Sequence, residues 1–328
     1  MNKELLAEND RSIRLFGIET QKKLFKSSTI LFNLSPSITE IGKDLLLSGV
    51  SLYLFDDNSY ITEKDIEINF FFNSDDINQN KSMTLKNKFQ MIKENVNIKI
   101  ISFDNLNSIN NVKYAAFDIS EISKENFSKI EEFIIQNQII CYYLLENGNI
   151  GYYINNLIEK KKEIKEIKKE ELTINIDDEN EIEKNEETID LNKNENENNI
   201  KTIDLFEEYN ISTLENKIIN KILEPFKSKD NILDIKLKKY ILPLSFYCFV
   251  KNDNFQTKYN ELNMKIKETL DYIKNTQNKY ISPYYFGTCN IIGGLVCQDI
   301  IKCIGRREKI NCNIYSFNSN TENGEFMI

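Results

Sequence analysis

The chain has no histidine and no tryptophan among its 328 residues, and only ten glycines, four prolines and four arginines. Without histidine there can be no Ser-His-Asp or Cys-His nucleophile system, no histidine-ligated metal and no histidine proton shuttle. The six cysteines (Cys141, Cys248, Cys289, Cys297, Cys303 and Cys312) include no CxxC pair, which argues against a zinc ribbon or a thioredoxin-type motif. Free buried thiols in a reducing compartment fit this length better than a disulfide scaffold. Long apolar runs are missing too. No stretch reads as the roughly 18 to 20 apolar residues of a spanning helix. Met1 to Arg14 is charged throughout and lacks the apolar region of a secretion signal. Excess positive charge is absent: 42 basic against 51 acidic residues leave −9, which argues against a nucleic-acid partner held by bulk electrostatics. No membrane partner and no metal site are expected.

What is present can build a core. Apolar residues make up 41% of the chain, with 20 Phe and 16 Tyr. The acidity is local. Residues 159–199 hold fifteen acids and eight lysines, no aromatic residue, and a net charge of −7. Outside them the chain is close to neutral. This composition predicts an acidic disordered insert between an N-terminal part, 1–158, and a C-terminal part, 200–328, that completes the same fold. A repeated Thr-Ile-Asp-Leu (Thr188 to Leu191 and Thr202 to Leu205) is a weak docking motif beside the insert's disordered reading.

Upstream of the insert, strand and helix patterns alternate. Strands are predicted at Ser28 to Leu34, Ser51 to Asp56, Asn97 to Phe103, Lys113 to Ile119 and Gln138 to Leu145. Helices are predicted at Thr39 to Leu47, Lys81 to Asn95 and Lys124 to Gln136. That is the pattern of βαβ units and a mainly parallel, Rossmann-like sheet. Ile150 to Ile154 should pair back antiparallel after a turn at Glu146 to Asn149. Downstream, helices are predicted at Ser212 to Pro225, Asn254 to Asn275 and Thr288 to Ile304, with a closing hairpin at Cys312 to Phe317 and Glu325 to Ile328. In the third helix Ile291, Leu295, Ile300 and Ile304 are expected to be buried, with Gly293 and Gly294 against the sheet.

A working nucleotide site in this architecture needs glycines between the first strand and helix, where backbone N–H groups meet the phosphates. Here the turn reads Asn33-Leu34-Ser35-Pro36-Ser37-Ile38-Thr39, and no glycine lies between Gly17 and Gly42. Every residue of the turn carries a Cβ, and Pro36 has no N–H. The nucleotide turn is degenerate. Asp56, at the end of the second strand, could hold a ribose or could belong to an ordinary turn. Arg11 and Arg14 stand three apart in a chain that otherwise uses lysine. A rigid fork suits phosphate or carboxylate recognition, while an intrachain ion pair is the alternative, above all for Arg14. Arg306 and Arg307 follow a helix end and fit dipole compensation.

The opening DRSIRLFGIETQKKLFKSSTILFNL, then EIGKDLLLSGV, LYLFDD, EINFFF, NQNKS and, near the C-terminus, SPYYFGTCNIIGGLVCQDIIKCI, resemble the ThiF-type adenylation half of ubiquitin-like activating enzymes. The pattern is most similar to the smaller, non-catalytic subunit of SUMO-activating enzymes. The resemblance implies a ThiF/MoeB-type adenylation fold in an obligate heterodimer, found in nucleus and cytoplasm. In such a pair the larger, catalytic-cysteine subunit holds ATP and Mg and works on a ubiquitin-like protein, here SUMO. It also implies that Arg11 reaches across the interface to the partner's ATP, and that this chain binds no cofactor itself. Lys81 and Asp118 match a phosphate-contacting Lys and a Mg-linked Asp of active members and, with Asp56, are read as relics. The N-x-x-R-Q run of active members has become Asn69-Phe70-Phe71-Phe72, and the arginine that follows the Asp in active members is missing, with Ser120 and Ser123 nearby. Three rival readings stay open. They are the regulatory subunit for the cullin-modifying ubiquitin-like protein, a stand-alone ThiF/MoeB-like adenylyltransferase, and a binding scaffold. The 41-residue insert is too short for the extra domain of the first, and the missing glycines and arginines count against the second.

Overall fold

A computed structural model describes residues 9–109, 111–120, 122–147, 150–159, 209–214, 285–305, 315–319 and 323–326. Its frame is one eight-stranded sheet. Two short helices lead in, α1 (Asp10–Phe16) and α2 (Ile18–Phe25). Then come β1 (Ser28–Phe32), α3 (Pro36–Leu47), β2 (Ser51–Phe55), α4 (Glu63–Ile68), α5 (Lys81–Ile92), β3 (Ile98–Ile101), β4 (Tyr114–Asp118), α6 (Lys124–Gln136), β5 (Ile140–Asn147) and β6 (Ile150–Asn155). A two-stranded ribbon joins β7 (Leu157–Glu159) to β8 (Tyr209–Ile211). The long α7 (Phe286–Gly305) precedes β9 (Tyr315–Asn318) and β10 (Asn323–Phe326).

The strand order is β10-β9-β6-β5-β4-β1-β2-β3. The five strands from β3 to β5 are parallel, and β6, β9 and β10 extend the sheet antiparallel. Chain order reverses between β1 and β4. That is the switch point outside whose carboxyl ends ligands bind in doubly wound sheets. The strands are apolar on both faces because helices cover both. Leu31, Leu54, Ala116, Tyr142 and Leu144 join one core with α3, α5 and α7. Ile30, Phe32, Phe55, Phe117 and Tyr143 join the other with Ile130, Phe133 and Ile134 of α6.

Local chemistry sets the helix starts. Thr62 and Asp65 form a capping box on α4, and Asn80 and Ser123 cap α5 and α6 through their side chains. The first helix after β1 begins at Pro36 rather than at the expected Thr39. Ser35 caps it and Pro36 takes the first helical position, where a missing N–H costs nothing. Gly49 follows the end of α3 with φ of 90°, a conformation glycine adopts without strain.

Two expectations about α7 are corrected. Ile291 is 40% exposed and Leu295 only half-buried; the buried stripe runs through Cys289, Ile292, Val296, Ile300 and Cys303. Gly293 approaches α3, not the sheet: a Cβ there would lie 3.0 Å from Glu40 Cβ and 3.2 Å from the Ser37 carbonyl, whereas one at Gly294 would meet nothing within 4 Å. By length and composition the 20-residue α7 is apolar enough to cross a membrane, but most of it is packed inside the fold, above all against α3 and α2. The segments 160–208, 215–284 and 306–314 lie outside the described residues. With them go most of the acidic insert, the helices expected near Ser212 and Asn254, and Arg306 and Arg307.

Candidate nucleotide cradle and the arginine helix

β1 ends where a phosphate turn would begin. Asn33 takes φ of 54°, the left-handed conformation that asparagine tolerates and glycine usually fills. Its side-chain amide donates to the Asp118 carbonyl at 2.8 Å, fixing the end of β1 to that of β4. The first turn of α3 is closed. Ser35, Ser37, Ile38 and Thr39 are buried. The Ile38 N–H points to Ser35 Oγ at 3.5 Å, and Thr39 Oγ1 donates to the Pro36 carbonyl at 2.7 Å. Ser37 Oγ donates to the carboxyl group of Glu146, whose second oxygen accepts from Cys289 Sγ at 3.0 Å. Burial, with the nearby Asp118 charge adding to it and the Cys289 hydrogen bond opposing it, pushes the Glu146 carboxyl up to about 8. Burial and the Glu146 carboxyl push the Cys289 thiol well above its usual range in turn.

A phosphate group does not fit this turn. One N–H is missing at Pro36, another faces Ser35, and a carboxyl group of the chain itself lies against Ser37. No cluster of three or more His, Cys, Asp or Glu side chains suited to a metal exists among the described residues.

Asp56, Lys81 and Asp118 are each engaged by groups of the chain itself. Asp56 accepts from the Asn58 N–H at 2.9 Å, the ordinary turn contact, and both its oxygens accept from the Asn80 amide at 3.1 Å. Lys81 pairs with Asp65 at 2.7 Å, each side chain only 17% exposed. Burial alone would raise the Asp65 carboxyl, but hydrogen bonds from Lys81 and Thr62 outweigh it and hold the group below its usual range. Asp118 is fully buried and accepts from the Ser120 N–H at 2.8 Å. Asn69 is structural as well. Its side-chain oxygen accepts from the Phe71 N–H at 3.1 Å and lies 3.4 Å from Thr39 Oγ1, which places the loop after α4 beside α3. Sequence reasoning missed Glu146 and Cys289.

The two arginines of α1 differ. Arg14 pairs with Asp10 one turn away at 2.9 Å, both of them exposed. Arg11 is exposed and makes no ion pair or hydrogen bond with any described residue. A second exposed feature lies where α7 starts beside the loop after α4. Phe70 (77% exposed) stands 6.4 Å, ring to ring, from the half-exposed Phe286, with Tyr285 and Ile291 close in sequence and also exposed.

No family model matches the chain. Subunit 1 of the SUMO-activating enzyme of Dictyostelium discoideum is 26% identical over 319 residues, 94% of this chain and 88% of that protein. The chain is similar to subunit 1 of SUMO-activating enzymes along nearly its whole length. The human SUMO-activating enzyme subunit 1 is 21% identical over 338 residues, covering 99% of this chain and 95% of that one. Among solved structures, PaaA superposes with a TM-score of 0.57 over all of this chain and 84% of its own, at 11% identity. MccB of E. coli does so with 0.55 over the whole chain and 70% of its own, at 10% identity. These structures carry the fold alone, a ThiF/MoeB-like adenylation fold, and the SUMO-activating subunits carry the likeness in sequence.

Proposed function

We propose that this chain is the non-catalytic subunit of a heterodimeric SUMO-activating enzyme, acting in nucleus and cytoplasm. It supports ATP-dependent adenylation and thioester transfer of the ubiquitin-like protein on a larger, catalytic-cysteine partner. The observation that carries this reading is the pairing of near-full-length likeness to SUMO-activating enzyme subunit 1 with a first turn of α3 that has no room for a phosphate. A chain of this architecture that cannot seat ATP itself acts through a partner that can, so ATP and Mg belong to the larger subunit.

Arg11 is the residue we assign to the partner's reaction. It is exposed and paired with nothing among the described residues, whereas Arg14 is already engaged with Asp10. A guanidinium offered to a phosphate from across an interface stabilises developing charge without reorganising. The apolar group formed by Phe70, Tyr285, Phe286 and Ile291 supports a partner-covered face, because aromatic side chains supply much of the energy of lasting interfaces.

The test is capture of the full-length chain with its partner, followed by pyrophosphate exchange into ATP by the purified pair. Equal stoichiometry with a catalytic-cysteine subunit is expected. Arg11→Ala should slow exchange about ten- to a thousandfold, since one preorganised donor is worth roughly 2.7 to 4 kcal/mol. Unchanged exchange in an intact heterodimer removes the role assigned to Arg11. A chain that exchanges pyrophosphate alone removes the whole reading.

A further inference from the structure

Glu40, Asp76, Asp118, Glu146 and Asp299 are all less than a tenth exposed. Glu40 pairs with Lys43 and Asp76 with Lys88, and Asp299 accepts from Tyr153 Oη at 3.0 Å. Glu146 meets no cation among the described residues. Around its carboxyl stand Ser37 Oγ from α3, Cys289 Sγ from α7 and the acid Asp118 from β4, while its own backbone N–H donates to Ser120 Oγ at 3.1 Å. Its strand ends one residue later, so the side chain lies over the carboxyl edge of the sheet, against the start of α3. In nucleotide-binding versions of this architecture that position belongs to a phosphate. Gly293 brings α7 down onto the Ser37 carbonyl from above, so the same turn is gripped from two sides.

We propose that Glu146 is a built-in plug: its carboxyl group fills the space at the first turn of α3 and ties that turn to α7 through Ser37 and Cys289, holding the cradle shut without a ligand. This inference rests on the reading that the chain's own nucleotide site is lost, and it names what now occupies the site. A carboxyl held up to about 8 keeps its proton near neutrality, so the plug adds little charge beside Asp118. The protonated carboxyl offers one acceptor and one donor, so one of its two contacts, with Ser37 Oγ or with Cys289 Sγ, then runs from the carboxyl rather than to it. Glutamine offers the same pair in the same shape, and alanine offers neither.

The thiol of Cys289 reports the state of the plug because it is one of its ligands. The test alkylates the full-length chain with N-ethylmaleimide at pH 7 and follows Cys289 by mass spectrometry. Cys297, buried two turns further along α7, serves as the reference. Glu146→Ala should speed labelling of Cys289 relative to Cys297 by about tenfold or more, by local opening of the α3–α7 contact. Ser37→Ala, a milder change, should speed it severalfold, and Glu146→Gln should leave it within about twofold of the parent. Cys289 labelling in both alanine variants that matches the parent, in chains that keep their circular dichroism, overturns the plug. So does equal acceleration at Cys297, which would mean general loosening. Calorimetric titration of the unsubstituted chain with ATP separates the two layers. Binding there defeats the lost-site reading, whereas no binding and no opening defeats the plug alone.

Discussion

Lys81 stands at the first position of α5, and its charge is engaged by Asp65 at 2.7 Å. Both groups are largely shielded from water, so removing the cation leaves an acid half-desolvated. Lys81→Met is expected to cost about 1–3 kcal/mol of stability, the penalty for a group that loses its partner. It should leave pyrophosphate exchange by the proposed heterodimer unchanged. A melting curve and an exchange assay on the same preparation check both halves, and a stable variant with lost exchange would restore Lys81 to the reaction. At this scale the sequence reveals residue types but not their partners. Asp56 and Lys81 could be picked out from their motif positions. Asn80 and Asp65, which occupy them, come from a bridge between Tyr60 and Asn80 and from a short helix that no periodicity marks. Glu146 was hidden for a related reason. Followed by Asn-Gly-Asn it reads as turn, and only the continuation of β5 to Asn147 and the docking of α7 bury it.

Helices show the same division between local and distant causes. The start of α3 was legible in principle, since Ser35-Pro36 is a cap followed by a first-position proline. The helical apolar spacing is carried by Ile41, Leu45 and Leu46, so it marks the body of the helix and not its capped first turn. The length of α7 was nearly right, but its orientation was not, because Ile and Cys populate most of its faces and the pattern has no polar side to oppose. Its two central glycines therefore make a clean comparison. A side chain at Gly293 meets Glu40 and the backbone of Ser37, which cannot yield, so Gly293→Leu should cost about 1–3 kcal/mol by overpacking. Gly294 has open space around its missing Cβ, so Gly294→Ala should raise stability by up to about 1 kcal/mol through helix propensity. Urea unfolding of the pair checks the opposite signs. Equal effects would mean that α7 does not sit on α3 through Gly293.

For the molecule as a whole, the parallel strands were legible because each βα step is local, whereas the pairing of β6 with β9 joins residues more than 150 positions apart. That long-range closure also brings α7 over Glu146 and gives the fold a pH dependence. An unperturbed Glu titrates near 4.5, while Glu146 in the folded chain holds its proton up to about 8. Between those values the folded state binds the proton and the unfolded state does not, so stability falls as pH rises, and above about 8 this contribution is flat. Its steepest slope is about 1.4 kcal/mol per pH unit. Asp44 and Asp299, both raised first by burial, act with the same sign at the acid end, while Asp65, held low, opposes them there. Glu146→Gln isolates the one group. The variant should be similar to the parent near pH 4.5 and progressively more stable than it toward pH 8, with the gap constant beyond. Melting temperatures of the two chains across that range decide the matter. A gap independent of pH would mean that Glu146 is ionised throughout and that the contact with Ser37 and Cys289 is held by charge rather than by a proton.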